Sequence, residues 1–229
     1  MVTLNLLSLA TASLLSLSTA APTALPLNMT DVSIQSAPQS ISGPWQNFPS
    51  MSTWLTFDQM FGANQNSMSQ SGSTWDDIGR INVAIRNAAA SIGVDERVIL
   101  GIIMQESHGY VGVQTTFSPG EGIPTAGIMQ CSNCQGFPGQ NGLSQASHRK
   151  HIIVVFTPRD QISAMVNGGT THFKANLEDR GNNWNEQSIY EALREYNSGS
   201  VDPSNLSNGL GATDSYVSDI SQRLTGWVD

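Results

Sequence analysis

The residue whose setting most invites chemistry is Glu106. It closes the run Val98-Ile99-Leu100 and Ile102-Ile103-Met104, the most apolar helical stretch of the chain, and Gly109 follows almost at once. A carboxyl among such side chains loses hydration, which disfavours its charged form and raises its pKa. A carboxylic acid that keeps its proton near neutrality can hand it to a leaving oxygen. The plain alternative is a helix-end Glu turned toward water. Two further segments stand out. Ala126-Gly127-Ile128-Met129-Gln130 lies inside a Gly-, Pro- and Ser-rich stretch, 109–150, and Glu195-Tyr196-Asn197-Ser198-Gly199 ends a later helical pattern. Connections that long are usually functional or disordered. Directly behind Gln130 stand Cys131 and Cys134, the only two cysteines. In an oxidising compartment they read as a disulfide bracing the loop.

Other chemistries find less support. His148 and His151 sit at i, i+3, but no second pair completes a zinc site, so no metal is expected. There is no G-x-S-x-G, no Gly-rich phosphate loop and no H-E-x-x-H, and no cofactor is expected. His148-Arg149-Lys150-His151, the one basic cluster, reads as a solvated loop.

The elements that must position these residues are helices. Thr74, with Asp77 three residues on, marks an N-cap, and Ile78, Ile81, Ile85, Ala88 and Ile92 then recur at helical spacing until Gly93. Asp95 starts the helix that ends at Glu106, apolar nearly all round, as a helix at the centre of a fold is. Thr157-Pro158-Arg159-Asp160 offers an N-cap, a Pro at the first helical position and an acid, leading into Ile162, Met165, Val166 and Phe173. Ile189, Ala192, Leu193 and Tyr196 keep the helical pattern, and Val217, Ile220, Leu224 and Trp227 mark a last helix after Thr213. Trp75, Trp184 and Trp227 read as core by their helical neighbourhoods. Ile152–Phe156 is the one strand-like run. The class is mainly α, with a central buried helix carrying Glu106 and a long loop beside it.

Composition bounds the setting. Lys and Arg number 10 against 18 Asp and Glu, a net charge of −8, which makes nucleic acid and anionic membranes poor partners. Residues 2–20 are apolar, with Ser18 and Ala20 fitting small-residue cleavage, so 1–20 reads as a signal peptide and the protein as secreted. No other apolar run is long enough for a membrane span. Asn28-Met29-Thr30 and Asn205-Leu206-Ser207 are glycan acceptors on a eukaryotic secretory route. Residues 21–53, with Pro22, Pro26, Pro38, Pro44 and Pro49 among Ser, Thr, Gln and Asn, read as a flexible arm whose aromatic later part can dock on the domain behind it. That leaves 54–229 as the folded domain that carries Glu106. Nothing in the chain calls for more than a monomer.

In order and spacing, Glu106-Ser107, Gly127-Ile128-Met129-Gln130 and Tyr196-Asn197-Ser198-Gly199 resemble the E-S, G-L-M-Q and A-Y-N-x-G signature of soluble lytic transglycosylases and goose-type lysozymes. Glu106-Ser107-His108 is similar to the goose-type enzymes beyond the shared pair. The resemblance spans roughly residues 75–228 and implies a lysozyme-like helical domain acting on β-1,4-linked N-acetylated amino-sugar polymers, peptidoglycan first and chitin oligomers next. It implies Glu106 as the catalytic acid, Ser107 as a hydroxyl that positions the carboxyl or the sugar, and Gln130 as an amide facing the saccharide. Gly127 lets the backbone approach the substrate, Ile128 and Met129 complete that loop, Tyr196 orients the glutamate and Asn197 is a polar contact. His108 is either a sugar contact or simple packing. The aspartate that goose-type lysozymes carry just after G-L-M-Q is missing, since Cys131-Ser132-Asn133-Cys134 stands there. Glu121 is the candidate helper acid; its other reading is a solvated loop residue between Gly120 and Gly122. Three alternatives accompany the lysozyme-like reading: transglycosylation to an anhydro sugar, chitinase or chitosanase activity, and a secreted sugar-binding protein without turnover.

Overall fold

The computed structural model describes residues 39–118, 122–134, 136 and 158–229, the side chains of the last segment from Gln161 onward. Six α-helices carry most of the structure among the described residues, four of them begun at a side-chain cap. Helix α1, Phe57–Gln70, starts at Thr56, whose hydroxyl accepts from the Gln59 N–H while the Gln59 side chain returns to the Thr56 backbone. Helix α2, Trp75–Ile92, opens on the same reciprocal box between Thr74 and Asp77 and stops at Gly93, in the left-handed region at φ 78°. Helix α3, Glu96–Ser107, starts at Asp95 and buries every residue from Val98 to Met104. It packs against α1, α2 and helix α6, Tyr216–Leu224. That position at the centre explains why α3 is apolar on every side from Val98 to Met104. Helix α4, Pro158–Asp179, lies on α2 and on helix α5, Glu186–Ser198.

Three short antiparallel strands fill part of the stretch between α3 and α4: β1 Thr116–Phe117, β2 Pro124–Ala126 and β3 Cys131–Ser132, in the order β1-β2-β3. Thr116 pairs with Thr125 and Ala126 with Cys131. Cys131 and Cys134 are joined as a disulfide.

Several elements differ from what the sequence pattern predicts. Helix α1 was not anticipated, because its buried Phe57, Met60, Phe61, Asn64, Ser67 and Met68 include two polar residues that blur the apolar stripe. The small sheet forms where only a loop was expected; its strands are too short for alternation to register. Residues 39–53, the later part of the arm, lie against the helical domain. Phe48 is buried, Tyr190 donates to the Pro49 carbonyl at 2.6 Å, Leu206 N–H donates to the Gly43 carbonyl at 2.8 Å, and Ser50 and Met51 both donate to Glu186. Trp227 is in the core, but Trp75 and Trp184 are exposed. The signal segment, the arm before Gln39, Asn28, Glu121, His148, His151 and the Ile152–Phe156 run all lie outside the described residues.

Candidate active site

Glu106 occupies the last turn of α3. Its Oε1 accepts a 2.6 Å hydrogen bond from the hydroxyl of Tyr216, the first residue of α6. Protein closely surrounds the carboxyl while the residue as a whole keeps partial access to solvent. Loss of hydration outweighs the Tyr216 hydrogen bond, and the carboxyl pKa is pushed up from the ordinary 4.5 to about 7. Burial, and then the nearby Glu106 charge, raise both the Tyr216 and the Tyr196 phenols. Both rings therefore stay neutral donors at any pH where the site works.

The Gly127–Gln130 turn is bolted to two helices through its backbone. Buried Ser107 donates to the carbonyls of Ile103 at 3.1 Å and Ile128 at 2.8 Å. Tyr196, on α5, donates to the Met129 carbonyl at 2.6 Å. Gly127 at φ 77° and Gln130 at φ 44° bracket the turn, and the Gln130 N–H closes it on the Gly127 carbonyl. The underside of the turn sits on α4 at Gly169, where a Cβ would come within 2.4 Å of the Met129 Cβ. Glu106-Ser107, Gly127–Gln130 and Tyr196 thus converge from three distant stretches of chain.

Individual roles differ from the expected ones. The hydroxyl bonded to Glu106 belongs to Tyr216, which sequence reasoning passed over; Tyr196 holds the turn instead. Ser107 joins α3 to the turn and does not bond the carboxyl. The Gln130 amide braces the strands: its nitrogen donates to the carbonyls of Gln114 and Gly127, and its oxygen accepts from Thr116. Asn197 accepts from the Thr213 N–H and from Arg194, and so ties α5 to the segment leading into α6. No signal in the sequence marks Tyr216, because its reach to Glu106 depends on how α6 packs across the end of α3.

Behind the carboxyl lies a second polar network. Fully buried Arg194 donates to the carbonyls of Leu206 and Thr213 and packs beneath the Tyr216 ring, with 6.0 Å from guanidinium to centroid. Gln105 is bonded to Asp219 and Arg223 of α6. Arg223 grips Asp229 through both carboxyl oxygens, at 2.8 and 2.9 Å, and lies over Trp227. Asp229 in turn meets His108 Nε2 at 2.9 Å. Burial works to raise the Asp229 pKa, but Arg223 and His108 outweigh it and hold it near 2. His108, the left-handed cap of α3 at φ 51°, is therefore anchored to the far end of the chain.

Among the described residues no cluster of His, Cys, Asp or Glu could hold a metal ion, and no helix is long and apolar enough to cross a membrane. The chain matches no known protein-family model, and no curated protein is significantly similar to it in sequence.

Proposed function

We propose that this protein is a secreted, lysozyme-like glycosidase that cleaves β-1,4 bonds of N-acetylated amino-sugar polymers with Glu106 as the proton donor. The observation that carries the reading is the Glu106 carboxyl itself, desolvated at the end of the central helix, bonded to Tyr216 and protonated up to about pH 7. An acid in that state protonates the glycosidic oxygen as the bond to the anomeric carbon breaks. The Tyr216 hydroxyl donates to the carboxyl and stabilises the carboxylate left after transfer. The anomeric carbon is then attacked by water or by the sugar's own 6-hydroxyl, directly or after transient attack by the acetamido oxygen, and the attacking oxygen's proton passes to the Glu106 carboxylate. Peptidoglycan is the first substrate proposed and chitin the second, on the strength of the motif resemblance. The chain's acidity fits chitin better than an anionic wall.

The test is clearing of a bacterial-wall suspension, run in parallel with release of reducing ends from soluble chitin oligomers. Glu106→Gln is expected to abolish whichever activity the wild type shows. Mass spectrometry then separates the two fates of the anomeric carbon, because an anhydro product lacks the water that a hydrolysed end carries. Undiminished product release by Glu106→Gln would overturn the proposal.

A further inference from the structure

The outward face of α2 carries a feature that the site around Glu106 does not use. Trp75 is 61% exposed and Val83 48% exposed, although the same helix buries Ile78, Ile81, Ile85 and Ala88 completely or nearly so. Between the two, one helical turn from each, stands Gly79, and a Cβ built there would meet nothing within 4 Å. Glycine inside a helix is destabilising relative to alanine, and here no packing contact requires it. What its missing side chain does is leave a floor between the indole and Val83. The result is a depression of about 640 Å³, within the size range of small-ligand sites. Asp76, Arg80, Asn87 and Ser163 of α4 complete its lining.

The chemistry of this lining is specific. Asp76 and Arg80 are paired with each other at 2.7 Å, so their charges cancel, and Asn87 and Ser163 are neutral. A flat, exposed indole beside carboxylate, guanidinium, amide and hydroxyl groups suits a ligand with one C–H-rich face and an edge of hydroxyls and amides. It suits neither an anionic polymer nor an apolar helix. The helix that carries the groove is tied at its start to the chain beyond the candidate active site. Ser73, two residues before Trp75, donates to the Gly109 carbonyl at 2.8 Å and accepts from the Val111 N–H at 3.1 Å. The start of α2 is thereby fixed to the segment that follows Glu106 and His108.

We infer that the groove between Trp75 and Val83 is a second, non-catalytic binding site for a neutral amino-sugar chain, stacked on the Trp75 indole over Gly79. The inference rests on the glycosidase reading for the identity of the sugar. Its function is to hold a long polymer on the protein while another stretch of the chain is cut at Glu106.

The experiment titrates the full chain carrying Glu106→Gln, which cannot consume its ligand, with the N-acetylglucosamine hexamer, following backbone amide shifts by NMR. Two groups of residues are expected to move, one around Glu106 and Gln130 and one from Trp75 to Asn87. Adding Trp75→Ala weakens binding at the second group by about tenfold, the loss of one stacked ring, and leaves the first in place. Adding Gly79→Gln does the same by filling the floor, while the thermal midpoint rises because Gln is the better helix former. A purely structural role for Gly79 would not pair those two results. Shifts confined to the Glu106 group, or a Trp75–Asn87 group that survives both variants, overturn the second site and leave the glycosidase reading standing. Shifts in neither group, with no product from walls or chitin in the wild type, overturn both.

Discussion

Replacing Glu106 by Gln should make the protein more stable, by an amount that depends on pH. The folded state holds the Glu106 proton up to about pH 7, whereas an ordinary glutamate releases it near 4.5. Between those values the native protein binds more protons than the unfolded chain, so its stability falls as pH climbs. At roughly 1.4 kcal/mol per pH unit, the whole interval amounts to about 3 kcal/mol. Gln resembles the neutral acid in shape and can still accept from Tyr216. The variant therefore escapes the cost of desolvating a carboxylate. Urea denaturation should give similar free energies for the two proteins near about pH 4 and a variant more stable by up to about 3 kcal/mol near about pH 8. The gain should appear mainly between pH 4.5 and 7. Loss of cleavage alongside a gain in stability is the expected signature of a site that sacrifices stability for function. If the two stability curves run parallel over the whole range, the carboxyl is not desolvated in the folded protein and the proton-donor role proposed for it loses its physical basis.

Other expectations follow from the same contacts. Tyr216→Phe removes the hydrogen bond that opposes the rise in the Glu106 pKa, so the alkaline limb of the pH–rate profile should move up by about one pH unit; an unmoved limb would show that the phenol does not act on the carboxyl. Gly169→Ala drives a methyl group into Met129 and should cost about 1–3 kcal/mol in thermal denaturation, whereas a neutral or stabilising result would mean the turn does not rest on α4. Asp229→Asn removes a carboxylate held near 2. The stability it contributes is fully present above its ordinary value of 3.8 and is lost as pH falls through 2. Denaturation at neutral pH should therefore show a loss of about 1–2 kcal/mol that shrinks on acidification.

Much of this architecture is local information. The caps Thr74 and Asp95 mark helix starts in the one-dimensional pattern because a cap is a contact within three residues. The apolar run Val98–Met104 announces a central helix from the residue order alone, whereas the choice between a desolvated Glu106 carboxyl and one turned toward water waits on the packing around the end of α3. Helix α1 escaped notice even though Thr56 and Gln59 form the same box as Thr74 and Asp77, because buried Asn64 and Ser67 interrupt its apolar stripe. Asn64 returns its amide to the Met60 carbonyl, a partner found only once the helix exists.

What the residue order alone settled, then, is where several of the helices begin and which of them lies at the centre. Which hydroxyl meets the Glu106 carboxyl was a matter for the tertiary structure. Tyr196 and Tyr216 are both buried phenols near Glu106, and only the packing of α6 across the end of α3 gives the bond to Tyr216 and leaves Tyr196 to hold the Met129 carbonyl. The same holds for Trp75: its helical neighbourhood resembles that of a core residue, and only the rotation of α2 against α3 and α4 turns it outward beside Gly79. Contacts across a hundred residues depend on how helices cross, and helix crossing is decided by the packing of whole faces rather than by any short stretch of sequence.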